Sequence, residues 1–333
     1  MTHNKYDYDV AVIGAGPVGL FAITSCGMMG MSTVCIDSMP FVGGQCVALY
    51  PQKKMRGIPG FIEENGEEFV EKLIMQTNEF NTKFLLGNSL DEIQKIKDGF
   101  VINSGTTRIV TKAVIIASGK GLFKPNKLAI DNAENFENKS VFYSIKNKHI
   151  FKDKVVCVAG GGDSAGDWCV ELADIASKII LIHRRSKFRF FKKTQETIEK
   201  LVEEGKIELM TPYKVHDIKG EDGMLNEIDV LNIETGSSKS IKADYLLPFF
   251  GMEHKFNAFS VEDMELVKGK IKIDNTTMET SCKGIYSIGD SCYYEGKLPL
   301  IVVGFSECTI AANSIYHMLN PDSKNDMVNV IIK

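Results

Sequence analysis

Apolar positions in this chain of 333 residues come in short uninterrupted runs, separated by glycine turns and by stretches that alternate. The first run, Val10-Ala11-Val12-Ile13, leads into Gly14-Ala15-Gly16-Pro17-Val18-Gly19, and no charge falls between Val10 and Met31. A second, Val155-Val156-Cys157-Val158-Ala159, leads into Gly160-Gly161-Gly162-Asp163-Ser164-Ala165. A strand apolar on both faces reads as part of a covered parallel sheet, and glycines ahead of a helical pattern read as strand–turn–helix. These runs predict βαβ units over roughly 7–37 and 155–185. A loop is expected from Ser38 to Gly60, then a helix from about Glu67 to Phe80. Alternating runs at 84–86, 92–96, 100–102 and 108–110, with turns at Asp98-Gly99 and Ser104-Gly105, read as hairpins before the apolar strand Ala113–Gly119. After the polar segment Lys120–Lys154 and the second unit come a helix at Thr194–Glu204 and three β-like runs ending at Asp244. Leu246–Glu253 then crosses back, to an apolar strand at Gly284–Asp290 and a closing helix from about Ser306 to Leu319.

The implied fold is α/β, with two Rossmann-like domains of three-layer ββα type, the second inserted into the first. The first domain alone lacks enough strands, so residues after 246 are expected to complete it, giving 1–120 with 246–333 and an inserted 121–245. Hydrophobic content of 44% and charged content of 25% are those of an ordinary soluble globular chain. A net charge of −4 argues against nucleic acid as a partner. The 22 uncharged residues Val10–Met31 match a membrane span in length, but five glycines and Pro17 interrupt them, so no membrane is expected. The first strand begins too close to Met1 for a signal peptide, which suggests a cytoplasmic protein. None of the eight cysteines forms a C-x-x-C pair, no metal spacing is present, and Cys35, Cys157 and Cys169 lie in apolar runs as small buried residues.

The candidate chemistry is a difference in charge between the two glycine motifs. Gly14, Gly16 and Gly19 follow the dinucleotide fingerprint: a tight turn, a close approach of backbone to pyrophosphate, and close helix–strand packing. Pro17 in the first helical turn sacrifices no hydrogen bond. Twenty-three residues after Gly14 stands Asp37; the same count from Gly160 reaches His183, followed by Arg184 and Arg185. This offset ends the second strand, beside the ribose of a bound dinucleotide. A carboxylate there suits a 2′-hydroxyl, whereas cations suit a 2′-phosphate, although His183-Arg184-Arg185 also reads as a solvated strand end. Lys187, Arg189, Lys192 and Lys193 read mainly as a solvated face, Trp168 as a packed core residue, and Tyr50 either as a stacking partner for a flat ring or as an ordinary packed aromatic.

Asp37, Gly43-Gly44-Gln45, Tyr50, Ala117-Ser118-Gly119, the second glycine motif with Trp168, His183-Arg184-Arg185 and Gly284–Asp290 occur in this order. In that set the chain resembles the thioredoxin-reductase-like flavoproteins, in particular the type 2 ferredoxin–NADP reductases, over about 7–319. The resemblance implies FAD at Gly14, Gly16, Pro17, Asp37, Gly44, Gln45, Tyr50, Leu90, Phe123 and Asp290, with Tyr50 stacked on the ring and Asp290 on the ribityl chain. It implies NADP(H) at Gly162, Asp163, Ser164, Arg184 and Arg185, and a helix opening near Phe305-Ser306 aimed at the flavin. The implied activity is electron transfer between NADPH and ferredoxin or flavodoxin by a homodimer, in which the flavin carries the chemistry and no protein acid or base acts. Another NADPH-dependent flavin oxidoreductase (a quinone reductase or a monooxygenase) and a non-catalytic flavin sensor are the alternatives. Two departures stand out. Thioredoxin reductases carry a C-x-x-C dithiol just before the second domain's first strand, where this chain has Tyr143-Ser144-Ile145-Lys146-Asn147-Lys148. Type 2 reductases resemble one another in a tail that covers the flavin, and no such stacking residue is assigned after His317.

Overall fold

The computed structural model describes residues 6–61, 64–255 and 264–324. The chain divides into two compact units, Met1–Leu122 with His254–Lys333, and Phe123–Glu253.

In the first unit, strand β1 (Tyr8–Ile13) runs into helix α1 (Pro17–Met28) and strand β2 (Thr33–Asp37). β1 pairs in parallel with β2 and, on its other side, with the long strand Thr107–Ile116. That strand's free edge is shared, its first half by the antiparallel Gly99–Ser104 and its last residues by the parallel Ile285–Ser287. Residues beyond the second unit thus add a strand to the first unit's seven-stranded sheet. Val10, Ala11, Val12, Val114, Ile115 and Ile116 are fully buried, as uninterrupted apolar strands require. The uncharged stretch is divided between β1 and α1, and among the described residues no helix is long and apolar enough to cross a membrane.

Two details differ from expectation. The glycine-rich loop holds a short helix, α2 (Gly44–Leu49), which a six-residue segment starting with glycine does not advertise. The next helix, α3 (Gly66–Thr77), stops short of Phe80, and a single 3-10 turn, Asn78–Phe80, follows. Its start is fixed by a capping box: the Asn65 side chain accepts from the N–H groups of Glu67 and Glu68, while Glu68 accepts from that of Asn65.

The second unit has a parallel sheet in the order Ile207–Met210, Lys178–Ile182, Val155–Ala159, Tyr245–Pro248. Helices α4 (Asp163–Leu172) and α5 (Lys192–Glu203) connect its strands, and the meander Tyr213–Glu221, Met224–Asn232, Ser238–Lys242 supplies a second sheet. The expected boundary at 246 is corrected here. Leu246 and Leu247 pair with Cys157 and Val158, so this short apolar strand belongs to the second unit and the return falls after Glu253. Tyr-Leu-Leu-Pro alone reads equally well in either sheet.

Trp168, the chain's single tryptophan, packs in the second unit's core with Val156, Val158 and Leu172 and is 1% exposed. Its fluorescence therefore reports on this unit alone. Iodide should leave the native emission unquenched and quench it only as the second unit unfolds; quenching of the native protein would contradict this packing.

Candidate functional site

The three glycines after β1 differ in what surrounds them. Gly14 has φ +111°, and a Cβ there would lie 2.5 Å from the Ala117 carbonyl oxygen. A Cβ on Gly19 would lie 1.8 Å from the Gly14 carbonyl oxygen, so turn, strand and helix leave no room for one. Gly16 is the opposite case: nothing stands within 4 Å of its Cβ position, and as the residue ahead of α1 it offers no side-chain cap. The first-turn amides of a helix have no partner within the helix, and their dipoles sum to about half a positive charge. The open space before Pro17 therefore favours an anion.

Asp37, at the end of β2, accepts the Ala15 N–H at 2.6 Å through Oδ2 and the Met39 N–H at 2.8 Å through Oδ1. Burial pushes its carboxyl above the usual carboxylate range, a rise that these two hydrogen bonds only partly offset. Each oxygen keeps a second lone pair for a ligand hydroxyl. The Gly43 N–H donates to the Ala15 carbonyl at 2.8 Å, and a Cβ on Gly44 (φ +54°) would lie 3.0 Å from the Gly16 Cα. The start of α2, with Gln45 its second residue, is thereby pressed against the open end of α1.

Asp290 lies in a single 3-10 turn, Gly289–Ser291, with the Lys120 ammonium at 4.0 Å. A Cβ on Gly289 would stand 3.2 Å from Val18 of α1, so this turn also meets the fingerprint helix. The Ser118 hydroxyl, just past strand Thr107–Ile116, is buried with no partner in the protein. These features fit a dinucleotide: an open uncapped helix end, a carboxylate at the ribose offset, and an orphaned hydroxyl beside the first glycine. Gly14, Gly16, Pro17, Asp37, Gly44 and the Asp290 turn are brought together around the start of α1. Tyr50 closes α2 with the Lys53 ammonium 5.2 Å from its ring centroid, and Leu90 packs half-buried on the core. The Phe123 side chain lies outside the described residues, as does the tail from 325.

Helix α6 (Ile301–Leu319) starts more than a turn before the expected Ser306. Ile301-Val302-Val303 is β-branched and suggests a strand, but close packing of Gly304 on Val18 of α1 holds the segment in the helix.

The second site repeats the frame. Gly162 precedes α4 with no side-chain cap and nothing within 4 Å of its Cβ position, whereas a Cβ on Gly161 would meet the His183 ring at 2.2 Å. Beyond His183 the chain folds back. The Arg189 N–H donates to the Gly161 carbonyl at 2.8 Å, and the Phe191 N–H to Asp163 Oδ1 at 2.9 Å. Phe188 packs on His183 with ring centroids 5.1 Å apart and stacks on Phe190 at 4.7 Å. Asp163 thus holds the returning segment, and Ser164 sits half-buried in the first turn of α4. Arg184, Arg185 and Arg189 are exposed near the open end of α4. Burial, and then these three guanidinium groups, push the His183 imidazole down, so it is neutral at pH 7. The Arg189 side chain is exposed, as its polar run suggests; it is the backbone that returns to the fingerprint, and the sequence signal for that return is the Phe188-x-Phe190 pair, two apolar anchors in an otherwise polar run.

Residues 8–308 match the pyridine nucleotide-disulphide oxidoreductase family. A curated relative, the ferredoxin–NADP reductase of Ehrlichia chaffeensis, is 42% identical over 319 residues, covering 96% of this chain and 94% of that protein. The ferredoxin–NADP reductase of Wolbachia pipientis wMel is 41% identical over 319 residues, covering 95% and 94%. Among solved structures, Lactococcus lactis thioredoxin reductase superimposes with a TM-score of 0.78 at 24% identity, covering 95% of this chain and all of that one. The T. acidophilum enzyme of the same name gives 0.78 at 23% identity, with the same coverage. At such identities the structural likeness speaks for the fold.

The glycines separate stability from binding. Gly19→Ala should destabilise the first unit by about 3 kcal/mol or more, through forced overpacking against backbone. Gly16→Ala should change urea stability by less than about 1 kcal/mol while weakening dinucleotide binding. Equal stability losses in the two variants would refute the difference in surroundings.

Proposed function

The chain belongs to the pyridine nucleotide-disulphide oxidoreductase family, and from that premise we propose that it is a ferredoxin–NADP reductase holding FAD in its first unit and NADP(H) in its second. The observation that carries this reading is the difference in charge at the two second-strand ends, with Asp37 at the ribose offset of one fingerprint and Arg184, Arg185 and Arg189 beyond His183 at the offset of the other. The names of the relatives, at 40–42% identity over nearly the whole chain, support it.

Bound FAD supplies the conversion between a two-electron hydride and single electrons. The protein binds and orients. The first-turn amides of α1 receive one pyrophosphate and those of α4 the other. Asp37 accepts from the adenosine ribose of FAD, and its two backbone donors keep the carboxylate aimed there. Asp290 holds the ribityl chain, Gln45 and Tyr50 lie at the flavin end, and Leu90 completes the FAD surface. Gly162 leaves room for NADP(H), whose contacts include Asp163 and Ser164. Arg184 and Arg185, joined by Arg189, clamp the 2′-phosphate. At such exposed positions each phosphate–cation contact contributes toward the low end of about 1 to 4 kcal/mol. Electrons pass to a small external carrier, ferredoxin or flavodoxin, and the enzyme works as a homodimer.

The test is an anaerobic titration of the FAD-loaded protein. NADPH should bleach the flavin band and oxidised ferredoxin should restore it. A colourless preparation that takes up no FAD would end the proposal, and bleaching that only oxygen reverses, with hydroxylation of a substrate, would favour a monooxygenase. In steady-state kinetics, Arg184→Ala with Arg185→Ala should raise the KM for NADPH by roughly 30-fold, two contacts at about 1 kcal/mol each. The KM for NADH should stay nearly constant; equal rises for both coenzymes would remove the phosphate clamp.

A further inference from the structure

Glu307 is the single acidic residue of α6, and it is almost wholly buried. Its carboxylate forms an ion pair with Lys297, and the two side chains are 2% and 5% exposed. Oε1 also accepts from the Tyr294 hydroxyl at 2.8 Å, and Oε2 accepts the Gly289 N–H at 2.7 Å. The Cys292 thiol lies 3.8 Å from Oε2, and the Lys297 ammonium stands 5.4 Å from the Tyr294 ring centroid. Removing two charges from water is expensive, and apolar residues of equal volume stabilise a core as well or better. Stability alone is therefore a poor reason for this pair.

Its reach suggests another reason. Gly289 has φ +69° and directly precedes Asp290. The Cβ positions of Gly289 and Gly304 both point at Val18 of α1, at 3.2 and 2.6 Å. One carboxylate thus ties the Asp290 turn to α6 at the place where both meet the first turn of the fingerprint helix. We propose that the buried Lys297–Glu307 pair is a positioning device for the first dinucleotide site: Glu307 fixes the Gly289–Asp290 turn, and Lys297 fixes Glu307. The inference rests on the reading that this site holds FAD.

FAD and NADP+ dissociation constants of purified variants test it. K297M/E307L keeps the volume but deprives the Gly289 N–H of its acceptor, and it should bind FAD about tenfold more weakly. K297M/E307Q restores a neutral acceptor and should return FAD affinity to within about threefold of the unaltered protein, one hydrogen bond being regained. NADP+ affinity, set in the other unit, should be unchanged in both. Equal FAD affinity in all three proteins would overturn the proposal, as would equal weakening in both variants. If K297M/E307L does not fold, Tyr294→Phe removes one donor to the same carboxylate; FAD binding weakened with NADP+ binding unchanged supports the proposal, and no change in either overturns it. Failure of the unaltered protein to bind FAD is a different result, which removes the underlying reading and this inference with it.

Discussion

Helices α1 and α4 each open on a glycine whose Cβ position faces empty space, and the two candidate sites are arranged around that fact. Ahead of α1 stands Gly16 and ahead of α4 stands Gly162, neither offering a side-chain acceptor. The contrast with α3 is direct, since Asn65 and Glu68 close its start with a full capping box. A cap contributes about 1 kcal/mol, so leaving it out costs stability, and at both places the omitted side chain would have filled open space. Each of these two helices also follows a central strand paired in parallel on both sides, which puts its N-terminus at the carboxyl edge of those strands, where α/β folds bind ligands. Glycine there keeps the amides bare for a phosphate.

The sheets then make the two sites comparable residue by residue. Ile36 pairs with Ile13 and Ile182 with Ala159, and the N–H groups of Gly14 and Gly160 donate to the carbonyls of Ile36 and Ile182. The next residue in each case, Asp37 or His183, stands at the same place relative to its fingerprint. Parallel register has converted a count along the chain into a position in space. The surroundings of the two residues differ accordingly. Asp37 is aimed by two backbone donors, whereas His183 is packed over Gly161 and gives way to the arginines beyond it.

What was legible in the sequence was whatever depends on local backbone geometry. The glycine spacing, the apolar strands and the offset to Asp37 and His183 follow from strand–turn–helix geometry over about 25 residues. What was not legible depends on contacts distant in sequence. The Arg189 backbone reaches the second fingerprint because two phenylalanines fold its segment back, a return that charge counting does not foresee although the side chain is exposed. Tyr245–Pro248 has no intrinsic allegiance to either sheet until it pairs with Val156–Ala159. The start of α6 was hidden by β-branched residues, since propensity yields to the close approach of Gly304 to Val18. Glu307 was invisible for a related reason: hydropathy reads a lone glutamate as a solvent position, and its burial is explained by Lys297, Tyr294 and the Gly289 N–H, all ten or more residues earlier.

The family is named for a disulphide, and the state of the thiols shows why that part of its chemistry does not carry over. All eight cysteines are unpaired, and seven of them are buried. Burial pushes Cys26, Cys157 and Cys292 up to about 12, and the half-buried Cys46 up to about 11. At pH 7 these groups are protonated, and the thiol is a far weaker nucleophile than the thiolate. Position agrees with acidity, since no two cysteines have the C-x-x-C spacing of a redox pair. The chain thus has no C-x-x-C dithiol to relay electrons, in keeping with relatives named ferredoxin–NADP reductases. The likeness to thioredoxin reductases is one of frame, and the exit route is where this chain departs from them.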